Sequence, residues 1–233
     1  MNMKIIRFGC LVIILLILSS IGTVLSAEYR TETEEIKLYQ FDPIVLLTGF
    51  GPFGEYEINP SQLITENLNG SVINGATIIG IILPVNYTSS VKLVNQAIKD
   101  YNPILVVSTG LAAGSHSIRI EKVGINLRFG EKRFKLCRLE PKGPLFHLSP
   151  FPSNCLVKNI KRAGIPARTS FFAGIYICNA VLYGVIDFIK HNNLNIKSGF
   201  IHVPLLSSQH HEGMEFEKML NAITIIIQEC LNN

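Results

Sequence analysis

The chain has 233 residues, of which 48% are apolar and 16% charged. That gives enough length and apolar content for one domain with a full core, and it excludes an intrinsically disordered chain. The formal net charge is +4, but no basic run is long enough to form a nucleic-acid footprint, so nucleic acid is not an expected partner.

Residues 1–27 differ in character from the rest. Lys4 and Arg7 precede an uncharged, strongly apolar run over residues 8–27 that ends in small residues. This is the layout of a secretory signal peptide, with cleavage after Ser26 or Ala27. The run is also long enough to cross a bilayer as a retained membrane anchor, with attachment through residues 8–27. Either reading places the remainder of the chain outside the cytoplasm, secreted or membrane-anchored, because cations ahead of an apolar run stay inside. Residues 28–42 are polar and acidic and read as a linker, which leaves 43–233 as one domain. The triplets Asn69-Gly70-Ser71 and Asn86-Tyr87-Thr88 are glycosylation acceptors, in keeping with export.

From residue 43 onward, apolar runs alternate with helical patterns. PIVLLTG (43–49) reads as a buried strand, PSQLITENLN (60–69) as a short helix and TIIGIILPV (77–85) as a second strand. TSSVKLVNQAIKD (88–100) carries Val91, Val94 and Ile98 at helical spacing, and PILVVSTG (103–110) is a third buried strand. The section from Leu111 to Pro152 is irregular, with a hairpin expected around RFGEKRFKLCR. A helix through NCLVKNIKRAG should stop at Gly164. IPARTSFFAG then runs extended to a turn, followed by the helix ICNAVLYGVIDFIKH, the strand SGFIHVP and a terminal amphipathic helix EFEKMLNAITIIIQECL. Continuous apolar strands alternating with helices predict an α/β fold: a three-layer α/β/α sandwich with a mostly parallel, doubly covered sheet.

The first strand runs into Gly49-x-Gly51-x-x-Gly54. This is not a dinucleotide fingerprint. In that fold the helix begins within the glycines, so that its N–H groups face the pyrophosphate. Here Pro52 interrupts the motif, and the better helix start is Asn59 as N-cap with Pro60 behind it. The acidic residue expected after the second strand is replaced by LPVNY. What remains is a glycine-rich loop at the carboxyl end of a strand, the edge where open α/β sheets bind ligands. Its two aromatics, Phe50 and Phe53, either wall a small pocket or pack into the core.

Four cysteines lie beyond the N-terminal segment: Cys137, Cys155, Cys178 and Cys230. Their spacing does not reveal pairing. Cys137, His147 and Cys155 lack the close spacing of a structural metal site, so neither a metal nor any other cofactor is expected. Thiolate catalysis needs a cysteine in a favourable field, a histidine to hold its proton and a group to orient that histidine. Cys178 opens a predicted helix after a turn at Gly174, where N–H groups and the helix dipole favour negative charge. His202 ends a predicted strand just before Pro204. Glu121 stands among apolar neighbours soon after the third strand. All three fall on one rim of the expected sheet. A buried thiol, a satisfied core imidazole and a surface acid are the alternatives. His210-His211-Glu212 reads as a solvated helix start.

The stretches TGFGPFGEYEINPS, STGLAAG, IEKVGIN, AGIYICN and GFIHVP occur in an order and spacing that resembles the pyroglutamyl peptidase I family, the pyrrolidone-carboxylate peptidases. The resemblance runs from about Pro43 to the C-terminus. It implies a cysteine exopeptidase on an α/β/α sandwich that needs no metal, takes peptides with a blocked N-terminus and forms a homo-oligomer, often a tetramer. By motif, it implies Cys178 as nucleophile, His202 as base and Glu121 as orienting acid. Phe50 and Phe53 would sandwich the lactam ring, Asn59 belongs to the same loop, and Tyr176 and Ile177 would line the pocket. The chain departs from the family pattern at Leu111, where glutamine is usual, and at Glu131, in the place of an arginine that Arg128 or Arg133 could replace. Phe171-Phe172 stands for a polar pair, and Ala180 for a histidine. These departures set a second expectation beside the first: a weak or inactive relative that binds pyroglutamyl-like N-termini.

Overall fold

The computed structural model describes residues 42–130 and 135–232. The expected signal or anchor over 1–27, the linker up to residue 41, and Glu131 and Arg133 lie outside the described residues. Among those described, no helix is long and apolar enough to cross a membrane.

Strand β1 (Ile44–Phe50) is buried from Val45 to its end. Its alternation sorts side chains between two cores. Val45 and Leu47 join one cluster, while Leu46 and Phe50 join the other. β1 lies between two parallel neighbours, β3 (Ala76–Leu83) and β4 (Leu105–Leu111). β11 (Lys197–Val203) continues the sheet parallel to β4. The seven-stranded order is β10-β5-β11-β4-β1-β3-β2, with β2 (Val72–Ile73), β5 (Ile118–Glu121) and β10 (Ala167–Ser170) completing it. Within this sheet, among the described residues, only the β5–β11 and β2–β3 pairs run antiparallel.

Helices cover both faces. α1 (Pro60–Leu68), α3 (Ser153–Arg162) and α5 (Phe216–Asn232) bury Ile64, Leu156, Ile160, Ile223 and Ile227 in the first cluster. α2 (Tyr87–Tyr101) and α4 (Ile177–His191) bury Val94, Ile98, Val181, Val185 and Ile189 in the second. The result is the expected three-layer sandwich.

The helix boundaries follow from local chemistry. Asn59 caps α1 by accepting from the Ser61 N–H at 3.1 Å, and Pro60 occupies the first turn. Asn86 caps α2 through Thr88 N–H and Ser89 N–H. Asn69 accepts from the Gly80 N–H at 2.8 Å, so both asparagines of the glycosylation triplets also serve the fold. After α3, Gly164 takes a left-handed φ of +76°, as a helix stop requires.

The irregular section holds more structure than its sequence promises. The expected hairpin is present as β7 (Arg128–Phe129) against β8 (Leu136–Cys137), beside a second pair, β6 (Val123–Ile125) with β9 (Phe146–Leu148). β5 enters the main sheet directly. Its sequence IRIE alternates, but the polar face carries Arg119 and Glu121 and turns inward rather than to water, which hides the strand from an apolar pattern.

Candidate active site

The sheet's alternation brings the chemistry to one place. On β11, Ile201 and Val203 face the α1/α3/α5 layer, so Phe200 and His202 face the other. On β5, Ile118 and Ile120 face the first layer, so Arg119 and Glu121 project to the same side as His202. Above that side begins α4, with Cys178 its second residue.

His202 Nδ1 lies 2.8 Å from Glu121 Oε1. Glu121 is fully buried and His202 nearly so. With Nδ1 held by the carboxylate, Nε2 is the atom left for Cys178, whose sulfur lines the same cavity as the ring. Burial pulls the imidazole pKa down most strongly, but the charge and hydrogen bond of Cys178, then those of Glu121, together outweigh it and hold His202 at about 9. The ring between Cys178 and Glu121 is therefore held in its charged form.

Arg119 steadies the carboxylate from the other side. Its Nε stands 3.2 Å from Glu121 Oε1. The N–H is not aligned as a hydrogen bond, so the contact is chiefly electrostatic. Its Nη2 donates to Ser170 Oγ at 2.9 Å and to the Phe172 carbonyl at 3.0 Å. Among the described residues, Glu121 Oε2 has no hydrogen-bond partner.

Three features set the position of the sulfur. Gly174, at φ +84°, turns the chain ahead of α4. The Tyr87 hydroxyl donates to the Ile175 carbonyl at 3.2 Å. Asn179, fully buried, accepts from the Ile125 N–H at 2.8 Å and donates to the carbonyls of Ile125 at 2.9 Å and Leu127 at 3.0 Å. That last set bolts the first turn of α4 to the segment after β5. The N-cap residue Tyr176 makes no side-chain capping bond, so the first-turn N–H groups remain available to negative charge at the sulfur.

A cavity of about 360 Å³ opens on the sulfur. It is lined by Phe50, Phe53, Asn59, Tyr176, Ile177, Cys178 and His202, together with Val85, Leu111 and Ala173. Every expected substrate-contacting residue thus falls on one cavity with Cys178 and His202, while Glu121 stands behind His202. Both readings of the aromatic pair hold in part. Phe50 is a buried core residue whose edge reaches the cavity, whereas Phe53 is half-exposed and packs on Tyr56 at 5.6 Å between ring centroids. The polar atoms of Asn59 are consumed by the loop. Nδ2 donates to the Gly51 carbonyl at 3.0 Å, and Oδ1 takes the Ser61 hydroxyl at 2.8 Å. Ser61 Oγ in turn accepts the Phe50 N–H at 3.0 Å. Asn59 and Ser61 therefore fix the backbone that carries both rings.

Sequence reasoning missed Arg119, Asn179, Ser61 and Gly110. For Gly110 the only signal was its place at the end of a buried strand. For Arg119 the only signal was that it precedes Glu121 by two residues in an alternating IRIE. The other candidates lie elsewhere. Arg128 places its guanidinium 5.6 Å from the Tyr87 ring centroid and donates to the Phe129 carbonyl, outside the cavity lining. His147 pairs with Asp187 at 2.8 Å, and Cys155 contacts Glu229, so the structure does not gather Cys137, His147 and Cys155. His210, His211 and Glu212 lie exposed in a loop before α5 rather than at its start.

The sequence profile of the pyroglutamyl peptidase family matches residues 44–233. Pyrrolidone-carboxylate peptidase 2 of Caldanaerobacter subterraneus subsp. tengcongensis is 38% identical over 202 residues, 80% of this chain and 97% of that protein. The corresponding enzyme of Halalkalibacterium halodurans is 35% identical over 197 residues, 80% of this chain and 98% of its own. Among solved structures, pyroglutamyl peptidase I of Bacillus amyloliquefaciens superposes with a TM-score of 0.77 at 29% identity, covering 82% of this chain and 98% of that one. Pyrrolidone carboxyl peptidase of Thermococcus litoralis gives 0.77 at 27% identity, covering 82% and 94%. The chain belongs to the pyroglutamyl peptidase family of cysteine peptidases.

Proposed function

We propose that this chain releases N-terminal pyroglutamyl residues from peptides, with Cys178 as nucleophile, His202 as proton carrier and Glu121 as the group that orients it. The observation that carries this reading is His202 bonded to Glu121 behind it and lining one apolar cavity together with Cys178.

The steps derive from the geometry. With the thiol proton already resident on His202, Cys178 Sγ attacks the carbonyl carbon of the pyroglutamyl residue. The first-turn N–H groups of α4 face the oxyanion that forms. The C–N bond then breaks, the leaving amine takes the proton from the imidazolium, and a thioester remains on Cys178. Water, deprotonated by His202, attacks the thioester and frees pyroglutamate and the thiol. Glu121 stays ionised throughout, holding the ring in one tautomer and offsetting its positive charge.

The cavity suits a lactam. Phe50, Phe53, Val85 and Leu111 offer apolar walls to the ring. A charged α-amine would lose its hydration there without gaining a partner. The binding-only alternative is the weaker reading, because the departures at Leu111 and Phe171-Phe172 leave the Cys178–His202–Glu121 chain assembled. The test is a pair of peptides differing only in the first residue, pyroglutamate or free glutamate. Cleavage of the first alone, read by mass spectrometry, supports the reading, and no cleavage by folded, reduced protein refutes it.

The layout of residues 1–27 supports a secreted or membrane-anchored protein. N-terminal sequencing of native material decides between cleavage and a retained anchor. A homo-oligomer is part of the same proposal, with exposed apolar residues such as Leu145, Phe146 and Leu148 in support, and light scattering tests it.

A further inference from the structure

Two adjacent phenylalanines stand out on the surface beside the cavity. Phe171 is 69% exposed and Phe172 57% exposed. They lie between β10 and Ala173, which lines the cavity, and Tyr176, itself 64% exposed, sits farther along the rim. These are exposed aromatics beside the cavity, and exposed apolar surface of this kind marks binding sites.

The stretch is not loosely held. Arg119 Nη2 donates to Ser170 Oγ and to the Phe172 carbonyl, while Arg119 Nε stands beside Glu121. Tyr176 packs on Phe129 with ring centroids 5.1 Å apart. A backbone pinned on one side to the buried carboxylate thus presents its aromatic side chains to water. Ordering a surface in advance removes part of the entropy cost of binding to it.

Its position relative to the chemistry identifies the occupant. In acyl transfer the group that protonates the leaving amine must touch that nitrogen. Here that group is His202, so the leaving peptide departs on the imidazole side of the sulfur. On that side the ring is backed by Glu121, then by Arg119, then by the chain at Ser170–Phe172. The lactam ring fills the cavity on the acyl side. Ala173, which follows the pair, lines the cavity with Cys178 and His202, so Phe171 and Phe172 stand beside the rim that a peptide leaving on that side would cross.

We infer that Phe171 and Phe172 form a shelf for the residue after pyroglutamate, and that they favour substrates with a large apolar or aromatic side chain there. The inference rests on the pyroglutamyl reading above and adds the selectivity of its leaving-group side.

The test is a series of pyroglutamyl-X-glycine peptides with X as glycine, alanine, leucine and phenylalanine, with kcat/KM measured for the full chain under reducing conditions. Phenylalanine should exceed glycine by about tenfold or more, the scale on which an apolar pocket discriminates. F171N and F172N, each on an exposed side chain, should bring that ratio toward one in at least one variant. F171L and F172L should retain most of it. Light scattering on every variant reports assembly. A flat series in the natural chain overturns the shelf while leaving the pyroglutamyl reading standing. An unchanged ratio in both asparagine variants overturns it too, and if their assembly changes as well, the pair is a subunit contact. Failure to cleave any member of the series removes the reading and the shelf together.

Discussion

Cys178 Sγ occupies the space that a side chain at Gly110 would need. A Cβ at Gly110 would lie 3.0 Å from the sulfur and 2.8 Å from Phe200 Cζ. Both contacts are closer than packed carbon atoms tolerate, and Phe200 is a buried core ring with little freedom to move. Gly110 is therefore a positioning residue at the end of β4. Gly110→Ala should lower kcat by about tenfold to a hundredfold through displacement of the sulfur. It should also cost about 1–3 kcal/mol of stability from overpacking. Steady-state kinetics beside urea unfolding separates the two effects. Full activity in the variant would show that the sulfur has room to spare.

The proton balance at His202 predicts a pH dependence of known sign. Its pKa in the folded protein, about 9, lies above the ordinary imidazole value near 6.5. The stability contributed by the charged ring is thus complete below about 6.5 and is lost as pH rises through about 9. Activity should fall over the same alkaline range, since the deprotonated ring cannot protonate the leaving amine. Glu121→Gln removes the carboxylate that helps hold the proton on His202, so the alkaline limb should move to lower pH. The same variant should reduce kcat by about a hundredfold or more through loss of orientation. A kcat–pH profile of both proteins checks this, and an unmoved limb would count against Glu121 as the partner.

Asn179 makes three hydrogen bonds to the backbone of Ile125 and Leu127, in full burial. Asn179→Ala takes the partner from the Ile125 N–H and from the Leu127 carbonyl, while the Ile125 carbonyl keeps the Leu127 N–H. The expected destabilisation is about 2–4 kcal/mol, the scale of a broken buried polar network. Urea denaturation measures it. A loss under about 1 kcal/mol would mean that water replaces the side chain there.

The two loop aromatics should separate by role. Phe50 belongs to the core cluster with Leu46 and Phe200, so Phe50→Ala should cost about 3–5 kcal/mol in stability. Phe53 is half-exposed at the cavity, so Phe53→Ala should leave stability within about 1 kcal/mol. Its KM for a pyroglutamyl amide should rise about tenfold, from lost apolar contact with the ring. Calorimetry and initial rates on both variants give the comparison. The reverse pattern would exchange the roles.

Much of this architecture was legible in the sequence, for physical reasons. β1, β4 and β11 are buried on both faces and so read as largely apolar runs with few charges. Asn59-Pro60 announced α1, and Gly164 announced the end of α3. Cys178 and His202 were visible because a thiol at a helix start and an imidazole at a strand end both fall on the ligand-binding edge. β5 was not legible, because its inward face is charged. Glu121 was picked out by its apolar neighbours, but Arg119 gains sense only once β5 is placed antiparallel to β11, a pairing between residues far apart in the chain. Asn179 escaped for the same reason, since its partners Ile125 and Leu127 stand on a distant segment with no local signal. The exposure of Phe171 and Phe172 is likewise a property of the fold, since adjacent phenylalanines in a sequence read first as core.

The most direct test of the account is a covalent one. The natural protein and Cys178→Ala, both reduced, are mixed with a pyroglutamyl amide; amine release is monitored, and intact mass is read after an acid quench. The account predicts amine release by the natural protein alone, its loss after thiol alkylation, and a pyroglutamyl adduct on the peptide that carries Cys178. Equal turnover by Cys178→Ala, or an adduct on another residue, would contradict it.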